Sequence, residues 1–275
     1  MDLTLKKNVK NLLNSYRINI SKRLGQNFLI DKTTIKKVIK TADLQPTDIV
    51  LEIGPGIGTL TKEIAKKVKK VIAVEKDPGI YKVLKETLKD FKNIKIIQGD
   101  ILKIKDLRLK IKDYKIVANL PFYLTSPFIR KFLESEYPPK EIILIIQKEV
   151  AQRICARPPK TNLLAVSIQF YAKPKIISHI SKKSFWPSPK VDSAIIKIIP
   201  HKNKFDVKLR ERFSKIVKAG FSQSRKQLAN NLSKRLKLNK EQVKTWLLKN
   251  NIQPHQRAET LNINGWIKLT EDFIY

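Results

Sequence analysis

The sequence predicts an α/β fold, a mostly parallel sheet covered by helices on both faces, with an antiparallel hairpin at one edge and a small all-α domain at the C-terminal end. Three observations carry this. From about residue 32 to residue 154, short apolar runs alternate with amphipathic helical segments, which is the pattern of successive β-α units around a parallel sheet. Two β-rich stretches, Pro174 to Ile180 and Val191 to Ile199, then follow with no clear helix between them. Beyond Pro200 the pattern is helical and carries no strand signal.

The elements follow in order. Residues 1–24 are polar and basic (Lys6, Lys7, Lys10, Arg17, Lys22, Arg23) and read as a loosely held arm with a short helix. Ile49 to Ile53 is an apolar run ending in glycine, the mark of a buried strand. Leu60, Ile64 and Val68 recur every four residues across Thr59 to Val68, a helical stripe. Val71 to Val74, Ile94 to Ile97, Ile116 to Ala118 and Ile142 to Ile146 read as further strands. Ile80 to Leu88 and Ser126 to Leu133 read as helices, and another begins at Val150. The two β-rich stretches fit a hairpin closing one sheet edge. Past Pro200, Leu228, Leu232 and Leu236 share one helix face, and Val243, Trp246 and Leu247 another. The expected organisation is a basic arm (1–24), an α/β domain (25–200) and a helical domain (201–275).

Bulk properties narrow the function. The net charge of +33 calls for an anionic partner, with nucleic acid the first candidate and an anionic membrane surface the second. Residues 201–275 hold 17 Lys and Arg against 6 Asp and Glu, a surplus of 11, so the helical domain is read as the nucleic-acid-binding part. No apolar run is long enough to cross a bilayer, and the N-terminus has no signal-peptide core. The single Cys155 excludes an internal disulfide, and the scattered His179, His201 and His255 argue against a metal site.

Leu51-Glu52-Ile53-Gly54-Pro55-Gly56-Ile57-Gly58 is a strand running into a Gly-rich turn before a helix. Glycine lets the backbone approach a ligand closely, and the helix N-terminus behind it favours a negative group. Glu75 ends the next strand, where a carboxylate can accept from both hydroxyls of a ribose. These features suit a nicotinamide enzyme almost as well as a methyltransferase. Two others favour the latter. Gln98-Gly99-Asp100 puts an acid after the third strand, where it can meet an adenine amino group. The third glycine also comes two residues after the second, whereas the dinucleotide fingerprint needs three.

Asn119-Leu120-Pro121-Phe122 ends the fourth strand, at the edge where parallel sheets bind ligands. An exocyclic adenine nitrogen is a poor nucleophile because its lone pair is delocalised into the ring. The Asn119 side-chain oxygen and the Leu120 carbonyl can accept its two N–H groups and draw the nitrogen towards tetrahedral geometry. Pro121 removes a competing donor and fixes φ. Phe122 offers a face for base stacking, worth roughly 1–3 kcal/mol. No general base of matched pKa is required.

These residues together resemble the small-subunit ribosomal RNA adenine dimethyltransferase family. The resemblance runs from Lys22 to about Leu261. Leu24-Gly25-Gln26-Asn27-Phe28-Leu29 is similar to the family's cofactor-gating motif, and Gly54 to Thr61 to its methionine-binding loop. Gln147 to Arg153 follows the next strand as in the family. Phe185 to Ala194 is similar to a late motif whose Phe can sandwich a flipped base against Phe122.

The resemblance implies a Rossmann-like class I methyltransferase sheet and S-adenosyl-L-methionine as cofactor. It implies cofactor contacts at Asn27, Leu29, Gly54, Gly56, Glu75, Asp100 and Asn119. Asn119, Leu120, Pro121, Phe122 and Phe185 would form the catalytic set. The implied substrate is a pair of adjacent adenosines near the 3′ end of small-subunit ribosomal RNA, free or in a precursor particle. The implied enzyme is a cytoplasmic monomer with a link to ribosome assembly and no membrane partner.

One departure is the run Phe221-Ser222-Gln223-Ser224-Arg225, where the family often has two adjacent arginines after Phe-Ser-Gln. Its expected effect is one weaker phosphate contact. The competing readings are a large-subunit methylase of the erythromycin-resistance type, an RNA-binding assembly or transcription factor that keeps the fold, and a nicotinamide oxidoreductase.

Overall fold

The computed structural model describes residues 1–21, 24–104, 113–121, 124–202 and 205–273. The chain divides into two compact units, Met1–Ala151 with Lys175–Pro200, and Gln152–Pro174 with His201–Tyr275.

The first unit is built on a seven-stranded sheet. Its strands are β2 (Ile49–Ile53), β3 (Lys70–Glu75), β4 (Ile94–Gln98), β5 (Tyr114–Asn119), β6 (Glu141–Gln147), β7 (Ala172–Ile180) and β9 (Ser193–Pro200). The spatial order is β4-β3-β2-β5-β6-β9-β7. Pairings among β4, β3, β2, β5 and β6 are parallel, and β9 runs antiparallel to β6. The β-rich pair therefore closes one edge as the sequence predicts, with the later strand inserted next to β6. The strand order turns back between β2 and β5, which opens a crevice at their C-terminal ends.

Local chemistry sets the helix starts. Helix α2 (Lys32–Ala42) begins at Asp31, whose carboxylate accepts from the backbone N–H groups of Thr33 and Thr34. Helix α4 (Pro78–Thr87) begins at Asp77, which caps Gly79 and Ile80, with Pro78 where a missing N–H costs nothing. Helix α3 (Thr59–Ala65) follows Gly58 at φ +88°, a left-handed conformation that suits glycine. Helix α5 (Thr125–Leu133) joins β5 to β6.

The N-terminal stretch corrects one expectation. It holds helix α1 (Lys6–Ser15), whose Val9, Leu12 and Leu13 are buried in one cluster with Leu3, Phe28, Ile57, Ile80 and Val83. The spacing of those three residues makes an apolar stripe, which Lys6, Lys7 and Lys10 on the same helix obscure in the sequence. Lys22 and Arg23 lie outside the described residues. A second small sheet pairs β1 (Phe28–Leu29) with β8 (Phe185–Trp186), Leu29 opposite Phe185 and Phe28 opposite Trp186.

The second unit is helical. Helices α8 (Val207–Gly220), α9 (Leu228–Leu236), α10 (Lys240–Lys249) and α11 (Ile263–Glu271) enclose a core containing Leu228, Leu232, Trp246, Leu247 and Trp266. A single boundary at Pro200 misses residues 152–174. Helix α7 (Leu163–Gln169) and the residue after it send Val166 and Phe170 into this core, so that segment belongs here. Helix α6 (Lys148–Ile154) precedes it. Gly220 is obligatory for packing, since a Cβ would stand 2.4 Å from the Trp266 ring. Buried Asn231 donates to the carbonyls of Gly220 and Gln223 at 2.7 and 2.9 Å, which pins the Phe221-Ser222-Gln223 turn. No helix among the described residues is long and apolar enough to cross a membrane.

Candidate active site

All the described residues expected at the site line one pocket at the C-terminal ends of β2, β3, β4 and β5. They are Asn27, Leu29, Gly54, Gly56, Glu75, Asp100, Asn119, Leu120, Pro121 and Phe185. Phe122 lies outside the described residues. The pocket belongs wholly to the first unit.

The glycine turn is a junction. Gly54 (φ +62°) donates its N–H to the Val74 carbonyl at 3.0 Å, tying the turn to β3. A Cβ on it would face the Pro121 ring at 3.6 Å and the Asn119 carbonyl at 3.8 Å, so the turn abuts the tetrapeptide. A Cβ on Gly56 (φ +58°) would reach the Phe28 ring at 3.0 Å, so the 24–29 motif lies against the same turn. The third glycine differs. Gly58 is hemmed in by Leu84, Thr87 and Leu88 around α4, which is a packing role.

Three carboxylates approach the pocket in different electrostatic states. Glu75 is buried at the end of β3 and accepts the Asp77 N–H at 2.8 Å. Burial disfavours its charge and pushes its pKa from 4.5 up to about 7. Glu52 is buried more deeply, its Oε2 has no hydrogen-bond partner, and burial with the nearby Glu75 charge raises it to about 8. Asp100 behaves oppositely. Desolvation acts upward on it, but a 2.9 Å ion pair with Lys76 and the Leu102 N–H at 3.0 Å outweigh that and hold it below its ordinary value.

Reasoning from the residues singled out neither Glu52 nor Lys76. The usable signal for Glu52 was a lone charge inside the apolar run Ile49-Val50-Leu51-Glu52-Ile53. For Lys76 there was none, because its partner is 24 positions away on the next strand end.

The tetrapeptide is anchored from two sides. The Leu120 N–H donates to the Ile145 carbonyl at 3.1 Å, continuing the ladder from β5 to β6, and the Pro121 carbonyl accepts the Leu124 N–H at 3.0 Å. Asn119 Nδ2 donates to the Asn27 carbonyl at 3.1 Å. That bond uses the amide's donor side, so its Oδ1 is the atom available as an acceptor. Asn27 in turn donates its side-chain Nδ2 to the Gly25 carbonyl at 3.1 Å. Leu29 and Phe185 are both buried, and Phe185 is only 4 % exposed. Their pairing across β1 and β8 joins two motifs more than 150 residues apart.

The donor set fits an adenosine-containing sulfonium. Bare glycine backbone lies beside a buried carboxylate suited to a ribose diol. A second carboxylate lies beyond it at the next strand end, and Ile57, Ile80 and Ile101 supply apolar walls.

Residues 17–274 match the family described as ribosomal RNA adenine dimethylase. The chain belongs to that family. Curated relatives named ribosomal RNA small subunit methyltransferase A include one from Dehalococcoides mccartyi, 39 % identical over 96 % of this chain and 92 % of the relative. Another, from Clostridium botulinum, is 40 % identical over 98 % of both chains. Among solved structures, the 23S rRNA methyltransferase ErmE superposes with a TM-score of 0.74 at 26 % identity, covering 90 % of this chain and 99 % of that one. A dimethyladenosine transferase from Plasmodium falciparum gives 0.72 at 25 % identity, covering 87 % and 94 %.

Proposed function

We infer that this chain is an S-adenosyl-L-methionine-dependent methyltransferase. It converts two adjacent adenosines near the 3′ end of small-subunit ribosomal RNA to N6,N6-dimethyladenosine, in connection with ribosome assembly. The observation that carries the chemistry is the Asn119 amide, held by the Asn27 carbonyl so that Oδ1 is left to accept, in the same pocket as the glycine turn, Glu75 and Asp100. The subunit assignment rests on the relatives of about 40 % identity over nearly the whole chain.

Gly54, Gly56, Glu75, Asp100 and residues of the 24–29 motif would hold the cofactor. When bound it supplies an electrophilic methyl group on a sulfonium. Asn119 Oδ1 and the Leu120 carbonyl accept the N–H groups of the adenine amine and localise its lone pair. Pro121 aims that carbonyl, and Phe185 lines the pocket where the base would stack; the part of Phe122, outside the described residues, rests on the family resemblance alone. Each transfer replaces one N–H by N–CH3 and releases one proton, so two transfers use both hydrogens. The rate comes from positioning and preorganised acceptors. The amine of a paired adenine is inaccessible to in-line transfer, so the target base is unpaired or extruded.

The basic second unit grips RNA phosphates, and affinity for RNA falls steeply with added salt. On this reading the enzyme works in the cytoplasm as a monomer.

The likeness to ErmE favours a second reading, a large-subunit methylase on the same core. Incubation with labelled S-adenosyl-L-methionine and either immature small subunits or large-subunit RNA separates the two. Label in small-subunit adenosines is expected, and label confined to large-subunit RNA overturns the assignment.

A further inference from the structure

The second unit contains a cleft of about 710 Å³ that the methylation chemistry does not use. Its volume falls in the range of small-ligand sites, roughly 300–1,000 Å³. One wall is the end of an aromatic column. Phe213 stacks on Phe170 at 3.8 Å between ring centroids, and Phe170 stacks on Phe205 at 4.4 Å, with planes within 18° in both pairs. Phe170 and Phe213 are buried, whereas Phe205 is half-buried and lines the cleft. Another wall is Ile263 and Ile267, one turn apart on α11 and both half-buried.

The rim has one sign of charge. Arg157, Lys173 and Lys202 are exposed there, and no Asp or Glu is among the described lining residues. Polar groups also reach inside. The Gln169 side-chain nitrogen is committed to the carbonyls of Ile154 and Ala156, at 3.1 and 2.9 Å, which turns its Oε1 into the acceptor. The exposed amide of Asn264 completes the set.

We propose that this cleft binds an unpaired nucleotide of the RNA substrate, with the base stacked against Phe205, which lines it, and the flanking phosphates on Lys173, Lys202 and Arg157. A flat aromatic end, an apolar floor and a cationic rim match the three parts of a nucleotide, whereas a peptide needs neither a stacking face nor a rim of one sign. Stacking is indifferent to base identity, so the cleft adds grip and register more than sequence choice. It is a second RNA contact, separate from the pocket that receives the reacting adenosine, and it rests on RNA being the substrate.

The test is fluorescence-anisotropy titration of the full chain with a labelled single-stranded RNA and with protein-free small-subunit RNA. Phe205→Ala is expected to weaken binding roughly tenfold, within the stacking range. Phe205→Tyr keeps the face and the affinity, and it controls for loosening of the Phe170 packing. Lys173→Ala with Lys202→Ala, both on the surface, should weaken binding and flatten the salt dependence by about 1.4 in the logarithmic slope, two phosphates at about 0.7 each. Wild-type affinity in Phe205→Ala and in the double lysine variant overturns the proposal. Loss of affinity only for protein-containing particles also overturns it, since the occupant is then a protein. Failure of the wild-type chain to methylate small subunits would instead sink the parent reading, whatever the cleft variants do.

Discussion

At the end of the sheet where β2, β5 and β6 begin, buried charge is matched. Lys115 Nζ lies 3.0 Å from both Asp48 and Glu141 and donates to the carbonyls of Ala42 and Asp43 at 3.0 and 2.7 Å. Lys197 adds a second cation to Glu141. Desolvation works against the Lys115 charge, yet the two carboxylates hold its pKa above the ordinary value. At the opposite end, Glu52 and Glu75 are also buried, and burial drives both upward, to about 8 and about 7. One end is a closed ion cluster that staples β2, β5, β6 and β9 together. At the other, backbone N–H groups hold Glu75, and Glu52 Oε2 has no hydrogen-bond partner, which suits a site that a ligand completes. Stability and function have been divided between the two edges of one sheet.

Removing the cation at the matched end should produce the largest effect. Lys115→Met strips buried Asp48 of its cation, leaves Glu141 with Lys197 alone, and is expected to cost about 3–5 kcal/mol of stability. Chemical denaturation would show this, while the S-adenosyl-L-methionine affinity of the fraction still folded stays near wild type. An unchanged unfolding midpoint would remove the contrast.

At the site end, Asn119→Ala should lower the methyl-transfer rate by at least about 10²–10³, as for loss of a positioned hydrogen-bonding group. RNA affinity and thermal stability should hardly move. Parallel loss of RNA binding would argue that Asn119 serves structure rather than chemistry.

Glu75→Gln sharpens the contrast because its two effects have opposite sign. Cofactor affinity should drop about tenfold or more, since a charged acceptor for the ribose is lost. The ligand-free protein should melt higher at pH 8, because a buried charge has been removed. The same logic sets the pH dependence. Both folded-state pKa values lie above the ordinary 4.5, so between about pH 4.5 and 8 the folded chain binds more protons than the unfolded chain. The contribution of Glu52 and Glu75 to stability is therefore greatest below about 4.5 and fades as pH rises through about 7 and 8. Thermal melts of wild type against the double Gln variant across that window would expose it. Cofactor binding near pH 7 should release a proton, visible as a buffer-dependent enthalpy.

The smallest change concerns Lys76, which is half exposed. Lys76→Ala should weaken cofactor binding only a few-fold, as expected of a partly solvated ion pair holding Asp100. Calorimetry with S-adenosyl-L-methionine measures it.

Legibility differed between kinds of residue. Strands such as Ile49–Ile53 and Ile142 to Ile146 are readable because a strand buried on both faces needs a nearly continuous apolar run. Gly54, Glu75, Asp100 and Asn119 are readable because parallel β-α units bring successive strand ends to one edge, so order along the chain becomes neighbourhood in space. The short helix of the N-terminal arm was legible, but its buried face was obscured by lysines on its solvent face, and residues 152–174 by their position before the apparent boundary. For Asn27 and Leu29, only resemblance to known relatives pointed to the site.

The sequence by itself determined the alternation of strands and helices, the glycine turn and the chemical kinds of side chain at each strand end, since these follow from local periodicity and backbone freedom. Only the tertiary structure decided which carboxylates are paired and which are not, that the Asn27 carbonyl orients Asn119, and that Leu29 meets Phe185. Those outcomes depend on contacts between residues tens to more than a hundred positions apart, and on burial, which sets the electrostatic cost of a charge and has no local signature.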